Sequence, residues 1–261
     1  MGVLNITPDS FSDGGHFVDH PAALARALRM LEQGATIVDI GGESTRPGAT
    51  PVSAEEELQR VIPVVRALVA RGALVSIDTS KPEVIHAALE AGAQIVNDVY
   101  ALRRPGALEA AAQGSAAVCV MHMQGEPRSM QRAPHYDDVV REVAGFLAGR
   151  VAACESAGIA RDRILVDPGF GFGKTVAHNL ELLRNLTEIA PPGLPILAGL
   201  SRKSMLAALT DRPVEARLAG SLALAFAALE GGARIIRCHD VAETCDVVKV
   251  WTALRRRGEA S

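Results

Sequence analysis

Eight short apolar runs in this sequence each end in residues that can bind polar or charged groups. These residues are Asn5, Asp39, Asp78, Asn97, Asp98, Met121, His122, Asp167, Ser201, Arg202, Lys203, Arg237, Cys238, His239 and Asp240. Asp and Asn also turn a chain well, so any one of them alone has a structural explanation. Together they supply carboxylates, amides and cations with few apolar side chains, and this combination predicts a site for a polar ligand.

The cations in these segments predict that part of the ligand is an anion. The candidates are Arg46, Lys203, Arg237 and His239. Arginine offers a planar pair of donors and lysine a compact charge, and both suit phosphate. Asn5 and the loop residues Asp9 and Asp13 supply oxygen ligands. Such ligands suit Mg²⁺ that is held mainly through the phosphates of a substrate.

Another part of the ligand should donate hydrogen bonds. Asp78, Asn97 and Asp167 all end apolar runs, and a buried carboxylate must accept hydrogen bonds to offset its lost hydration. A ligand with several N–H donors would satisfy all three. We expect His122 to brace its loop, with a ligand contact as the alternative, and Lys174 to contact the ligand.

Aromatic residues in the loops suggest a flat ring as well. Phe11, Phe17, Phe170 and Phe172 lie in polar or Gly-rich segments, although helices would be the ordinary place to bury them. Contact with an apolar ring is one explanation. The alternative is that these side chains seal the top of the fold.

Two familiar nucleotide motifs are excluded by single positions. The string DPGFGFGKT resembles a phosphate-binding Walker A loop, but the first glycine of that motif would fall on Pro168. A dinucleotide-binding G-x-G-x-x-G is excluded because position 174 is Lys. No G-x-S-x-G nucleophile elbow is present.

Composition narrows the classes of partner. The 261 residues carry a net charge of −3, which gives no basic surface for nucleic acid. No apolar run approaches the roughly 20 residues of a membrane span, and no signal peptide is evident. The cysteines, Cys119, Cys154, Cys238 and Cys245, form no C-x-x-C pair. They favour buried thiols in a cytoplasmic protein, with zinc binding as the weaker alternative.

Apolar runs alternate with segments of helical spacing along the whole chain. We predict strands at Gly2–Asn5, Thr36–Ile40, Leu74–Ile77, Gln94–Val99, Ala116–Met121, Ile164–Val166, Pro195–Gly199 and Ile235–Arg237. We predict helices at Pro21–Gln33, Ser53–Ala70, Lys81–Ala91, Pro105–Gln113, Asp137–Ala157, Val176–Ile189, Val214–Glu230 and Val241–Arg256, with a short extra helix at Leu206–Leu209.

Eight strand–helix units of this length predict a single α/β domain, residues 1–261, folded as a (β/α)8 TIM barrel. The strands are apolar throughout, as expected of a parallel sheet covered on both faces. The loops after strands 1, 2, 5, 6 and 7 are long, whereas those before the strands are short. This asymmetry predicts that function lies at the carboxyl face of the barrel.

Eight strings in this sequence resemble those of the dihydropteroate synthase family of pterin-binding enzymes. They are NITPDSFSDGG (5–15), GATIVDIGGESTRPGA (34–49), SIDTSKP (76–82), IVNDV (95–99), VMHMQGEP (120–127), DPGFGFGKT (167–175), GLSRKS (199–204) and RCHDV (237–241). They run in family order from one end of the chain to the other. The family folds as a (β/α)8 barrel, which agrees with the prediction from the element pattern.

The resemblance implies a transferase of folate synthesis that requires Mg²⁺. Members condense 6-hydroxymethyl-7,8-dihydropterin pyrophosphate with 4-aminobenzoate to give 7,8-dihydropteroate and pyrophosphate. The resemblance implies a dissociative route, in which the pterin forms a methylene cation. A protein on this route needs no strong nucleophile, because the aniline nitrogen attacks a carbon that loses pyrophosphate. The loops after strands 1 and 2 would exclude water.

Site residues follow from the matched positions. The catalytic set would be Asp78, Asp167, Lys203, Arg237 and His239. The pterin pocket would consist of Asp78, Asn97, Asp167, Lys203 and Arg237. Asp39 matches a position deep in the site, and Met121 would also bind substrate. The diphosphate would meet Thr45, Arg46 and His239. The benzoate ring would lie between Phe11, Pro47 and Phe172, with its carboxylate near Ser204. Asn5 matches the Mg²⁺ position.

Two alternative functions share parts of this pattern. A methyltransferase domain that moves a methyl group from methyltetrahydrofolate to a corrinoid would need the pterin carboxylates but not the anion-binding group. A non-catalytic pterin-binding homologue would need no reactive geometry. The resemblance also implies a homodimer and a cytoplasmic location, in a family that sulfonamides target.

The sequence starts inside strand 1, whereas relatives usually have a further stretch before it. Either the start codon is placed late, or this barrel lacks the cover of its floor, in which case we expect its amino end to be unusually exposed.

Overall fold

The computed structural model describes residues 1–7, 19–44, 50–126 and 129–255. Its eight strands are β1 Gly2–Asn5, β2 Ile37–Gly41, β3 Leu74–Asp78, β4 Ile95–Asp98, β5 Ala117–Met121, β6 Ile164–Asp167, β7 Ile196–Ala198 and β8 Ala233–Ile236. Its helices are α1 His20–Glu32, α2 Ala54–Val69, α3 Pro82–Glu90, α4 Ala107–Ala112, α5 Val139–Ser156, α6 Val176–Arg184, α7 Leu186–Ile189, α8 Met205–Thr210, α9 Leu218–Glu230 and α10 Val241–Arg255.

The strands form one parallel sheet that curls back on itself. They pair in sequence order from β1 to β8. A parallel bridge between Gly2 and Cys238 returns the chain after β8 to β1, and the amide of Val3 donates to the carbonyl of Cys238 at 3.0 Å. The predicted (β/α)8 barrel is therefore confirmed. All strands end at the same rim, which brings the residues that follow them together.

Alternation along the strands separates two apolar cores. Ile164 and Val166 of β6 belong to the layer between sheet and helices. Leu165 points the other way and packs with Cys119 and Leu197 inside the barrel. Because the side-chain period of a strand is two, Asp167 faces the same interior as Leu165, two residues nearer the rim. The apolar side chains inside the barrel therefore lie below the polar side chains at its rim.

Two helix predictions were wrong in detail. The predicted helix Val176–Ile189 is two helices, because Asn185 leaves helical geometry with φ −112° and its side-chain amide donates to the carbonyl of Glu181 at 2.9 Å. The predicted helix from Val214 begins only at Leu218, after a 3₁₀ turn at Val214–Ala216. There Arg217 leaves helical geometry, and its guanidinium donates to the carbonyl of Arg212.

In the described residues, every helix is too short or too polar to cross a bilayer.

Candidate active site

Arg237 joins the carboxyl ends of three strands at the rim of the barrel. Its Nε donates to Oδ2 of Asp39 on β2 at 2.6 Å, and its Nη2 donates to Oδ2 of Asp78 on β3 at 2.7 Å. Asn97 of β4 donates from Nδ2 to the same Asp39 oxygen at 3.1 Å. Asp39 is fully buried. One guanidinium after β8 therefore holds two carboxylates, one on β2 and one on β3.

Burial sets the charge state of this cluster. It raises the pKa of Asp78, and the neighbouring carboxylates of Asp39 and Asp98 act in the same direction while Arg237 opposes them. Burial also acts to lower the pKa of Arg237, but Asp39 and Asp78 raise it above its ordinary value. Arg237 therefore stays charged, whereas Asp78 is held where a ligand can change its protonation.

Above the cluster lies an open cavity of about 360 Å³. It is lined by Asp78, Asn97, Val99, Met121, Asp167, Gly169, Phe170, Phe172, Gly199, Lys203 and Arg237. Asn97 gives its amide N–H to Asp39, so its oxygen is the atom left to accept from a ligand. The five residues predicted for the pterin pocket thus share one cavity with Met121 and Phe172, while Asp39 lies beneath it.

The far wall of the cavity combines a cation, a ring and a carboxylate. Lys203 Nζ lies 4.2 Å from the centre of the Phe172 ring, a distance at which the ring face attracts a cation. Burial lowers the pKa of Lys203 to about 8 and raises that of Asp167. One oxygen of Asp167 accepts from the amide of Gly169 at 2.7 Å. Asp167 can therefore accept hydrogen bonds from N–H groups of a ligand, while Lys203 places a positive charge beside the flat ring of Phe172.

Lys174, which the sequence predicted to contact the ligand, does not line the cavity. Only 3% of its surface is exposed, and its ammonium contacts Nδ1 of His122 at 2.9 Å. His122 is also buried, and its ring packs edge-on against Phe146 at 4.9 Å. The bracing role predicted for His122 agrees with this arrangement. Sequence alone could not show that the amine turns inward.

His239 and Ser204 lie at the rim beside the cavity. Nδ1 of His239 is 3.1 Å from Oγ of Ser201, and burial with Arg237 nearby lowers the pKa of His239 to about 4. Its imidazole is therefore neutral near pH 7. Ser204 is exposed at the start of α8. Thr45, Arg46, Pro47 and Phe11, predicted for the second substrate and the diphosphate, lie outside the described residues, as do Asp9, Asp13 and Phe17.

An ion cluster beneath the loop after β2 was missed in the sequence. Glu57 is 1% exposed, and its carboxylate pairs with Lys81, which also pairs with Glu43. From sequence, Glu57 belongs to the acidic first turn that favours a helix start. The close approach of α2 accounts for Gly42, since a Cβ there would lie 2.8 Å from the Glu57 side chain. In the sequence, Gly42 directly before Glu43 was the feature that could have indicated this close approach of α2.

Asn5, which the sequence predicted as the Mg²⁺ position, lies at the rim at the end of β1. A Cβ on Gly41 would lie 3.7 Å from its Oδ1 and 3.5 Å from Cβ of Asp78, so Asn5 and Asp78 flank that glycine. Within the described ranges, no group of three or more His, Cys, Asp or Glu residues can hold a metal. A single amide oxygen fits Mg²⁺, which keeps several waters and takes phosphate oxygens from a substrate.

Comparison with known proteins decides the family. A family model described as pterin binding enzyme matches residues 1–239. Dihydropteroate synthase of Escherichia coli is 55% identical over 254 residues, which cover 97% of this chain and 90% of the relative. The chain belongs to the dihydropteroate synthase family. The family, the enzyme class and the main function inferred from the sequence are thereby confirmed over the two alternatives.

Solved structures of dihydropteroate synthases share the fold. The enzyme of Yersinia pestis, in complex with a sulfonamide drug, superposes with a TM-score of 0.93 at 52% identity, covering 98% of this chain and 93% of its own. The enzyme of Xanthomonas albilineans, with 4-aminobenzoic acid, gives 0.92 at 53% identity, covering 99% and 93%. The roles of individual site residues in this chain stay predictions.

Proposed function

We propose that this chain condenses 6-hydroxymethyl-7,8-dihydropterin pyrophosphate with 4-aminobenzoate to form 7,8-dihydropteroate and pyrophosphate. The observation that carries the proposal is the single cavity into which Asp78, Asn97 and Asp167 all open. A pterin edge bears several N–H donors, and these three side chains offer oxygens from the ends of β3, β4 and β6. The 4-aminobenzoic acid bound by the Xanthomonas relative supports the second substrate.

The side chains of the cavity suit a reaction that leaves positive charge on the pterin ring. Asp78 and Asp167 would hold the ring edge and stabilise developing positive charge. Lys203 and Arg237 would orient the ring between them, since both line the cavity. His239, neutral beside Ser201, can donate one hydrogen bond from Nε2 to a phosphate oxygen without adding charge. The ring of Phe172 offers an apolar surface for the benzoate.

Mg²⁺ is part of this proposal. Asn5 would hold it by one oxygen, with the pyrophosphate and water supplying the other ligands. Bound there, the ion would stabilise the negative charge of the leaving pyrophosphate. The chain's own contribution would be Asn5 on β1 and Asp78 on β3, which flank Gly41 of β2.

Pyrophosphate release by the purified chain tests the function. We expect release only when both substrates and Mg²⁺ are present. Omission of 4-aminobenzoate should abolish it, which separates condensation from simple hydrolysis. A chain that binds the pterin but releases nothing would be the non-catalytic homologue, and one that demethylates methyltetrahydrofolate with a corrinoid would be the methyltransferase.

Binding of the pterin should release protons. Burial raises the pKa of Asp78 to about 7, so part of its population keeps a proton in the free protein at pH 6.5. Burial also raises the pKa of Asp167. N–H donors from the ligand favour the charged carboxylates and lower both pKa values. Calorimetry with 6-hydroxymethyl-7,8-dihydropterin at pH 6.5, in buffers of different ionisation enthalpy, should show net release. Net uptake would contradict the assignment of these carboxylates as acceptors.

We also propose that the chain forms a homodimer through α9 and α10. Eleven of the thirteen residues of α9 are apolar or glycine, although Ala219, Ala223 and Ala227 are exposed on one stripe. A helix that is apolar all round is normally covered on all sides. On the neighbouring α10, Val250 and Leu254 are 56% and 69% exposed.

Light scattering with size exclusion tests the dimer. We expect a mass of about twice 27.4 kDa. Ala223→Arg should give a monomer, because it places a charge in the middle of the stripe. Ala148→Arg is the control, since Ala148 is an exposed alanine of α5 on another face. A monomeric unmodified chain would contradict the proposal.

A cytoplasmic location belongs to the same proposal. All four cysteines are free thiols, and three of them are buried. Free cysteines are typical of a reducing compartment.

A further inference from the structure

The segment Gly169–Gly173 forms one wall of the cavity, and its shape depends on close backbone contacts. Gly169 and Gly173 have φ values of +68° and +62°. A Cβ on Gly169 would lie 1.9 Å from the carbonyl oxygen of His122, and one on Gly173 would lie 2.4 Å from that of Gln124. The segment is therefore pressed directly onto the backbone of the loop after β5.

One ammonium lies at the centre of this contact. Lys174 Nζ donates to the carbonyl oxygens of Gly169 and Phe172, each at 3.0 Å, and to that of His122 at 3.3 Å. Together with Nδ1 of His122 at 2.9 Å, these acceptors exceed the three donors of an ammonium, so the donors are shared. The cation thus joins both ends of the glycine segment to the neighbouring loop.

The atoms fixed in this way are those that face the ligand. Gly169, whose carbonyl is held by Lys174, gives its own N–H to Asp167 at 2.7 Å. Phe172, also held through its carbonyl, carries the ring that Lys203 approaches at 4.2 Å. We propose that Lys174 is a positioning residue that sets Asp167 and Phe172 for the pterin. The role as stated rests on the proposed function.

The surroundings of Lys174 are those of a buried structural donor. Burial lowers the pKa of Lys174 to about 7, against the attraction of Asp167. Burial and Lys174 together lower the pKa of His122 to about 3. His122 is therefore neutral and can accept through Nδ1. A separate bond, from Oη of Tyr136 to the carbonyl of Gly173 at 2.8 Å, holds the same segment without a charge.

Substitution of Lys174 tests the positioning role by comparing the change in KM with the change in kcat. We expect Lys174→Met to raise the KM for the pterin pyrophosphate about tenfold to hundredfold, because a displacement of about 1 Å has effects of that size. The kcat at saturation should fall less than in Asp167→Asn, since the carboxylate of Asp167 is kept and Lys174 acts on it only through Gly169. Lys174→Arg, which keeps the cation, should recover part of the loss. Lys249→Met is the control, because that lysine is 76% exposed on α10.

A second variant and a binding measurement keep the inference testable. If Lys174→Met does not fold, Tyr136→Phe removes one anchor of the same segment and should raise the KM in the same direction. Calorimetry with 6-hydroxymethyl-7,8-dihydropterin reads the pocket without the reaction. The inference would be overturned if Lys174→Met kept the KM and the pterin affinity of the unmodified chain. If Lys174→Met does not fold, the same result in Tyr136→Phe would overturn it. An unmodified chain that binds pterin but makes no dihydropteroate would overturn the proposed function alone.

Discussion

Arg237→Met should abolish measurable turnover and reduce the free energy of unfolding by about 3 kcal/mol or more. Arg237 is the cation that pairs with both Asp39 and Asp78. Its removal leaves the fully buried carboxylate of Asp39 with the amide of Asn97 as its one side-chain donor among the described residues. Urea unfolding followed by circular dichroism gives the stability, and pyrophosphate release gives the activity.

Two further variants make this prediction specific. Arg237→Met combined with Asp39→Asn should recover much of the stability but none of the activity, because the buried charge is then removed with its partner. Arg161→Met is the control, since its pair with Glu155 is about half exposed on both sides and should contribute no more than about 1 kcal/mol. Equal loss of stability in the Arg161 and Arg237 variants would contradict the account.

Asp167→Asn should lower turnover about 100-fold or more while the fold stays intact. Asparagine keeps an oxygen for the amide of Gly169, which now donates to Asp167 at 2.7 Å, so the segment after β6 keeps its shape. The negative charge that would face the positively charged pterin is lost. The measurement is pyrophosphate release at saturating substrates, with unfolding as the check on the fold.

The control for Asp167→Asn is Asp162→Asn. Asp162 is exposed and lies in the 3₁₀ turn Arg161–Arg163 before the same strand. It should behave as the unmodified chain. Unchanged pyrophosphate release in Asp167→Asn would remove Asp167 from the reaction.

The sequence was sufficient for the strands, the barrel and the rim residues, for a physical reason. Strands such as Ile164–Asp167 are apolar up to their last residue, so the point where the polar residue appears also marks the carboxyl end. Parallel order then places all these ends on one rim. Asp78, Asn97, Asp167, Lys203 and Arg237 could thus be grouped before any coordinates were known.

The sequence could not predict which hydrogen-bond and ion-pair partners the site side chains contact. Arg237 pairs with carboxylates 198 and 159 residues away, and no local pattern encodes such a pair. Lys174 follows three glycines and resembles a phosphate-binding lysine, yet its amine turns toward backbone carbonyls. The choice depends on how closely the loops after β5 and β6 approach, which is a property of the assembled barrel.

The most direct test of the account uses 4-aminobenzoate labelled with ¹⁵N at the amine. If the cavity joins the two substrates, mass spectrometry should find the label in 7,8-dihydropteroate, in amounts equal to the pyrophosphate released. Pyrophosphate released without labelled dihydropteroate would show hydrolysis instead of condensation and would contradict the account.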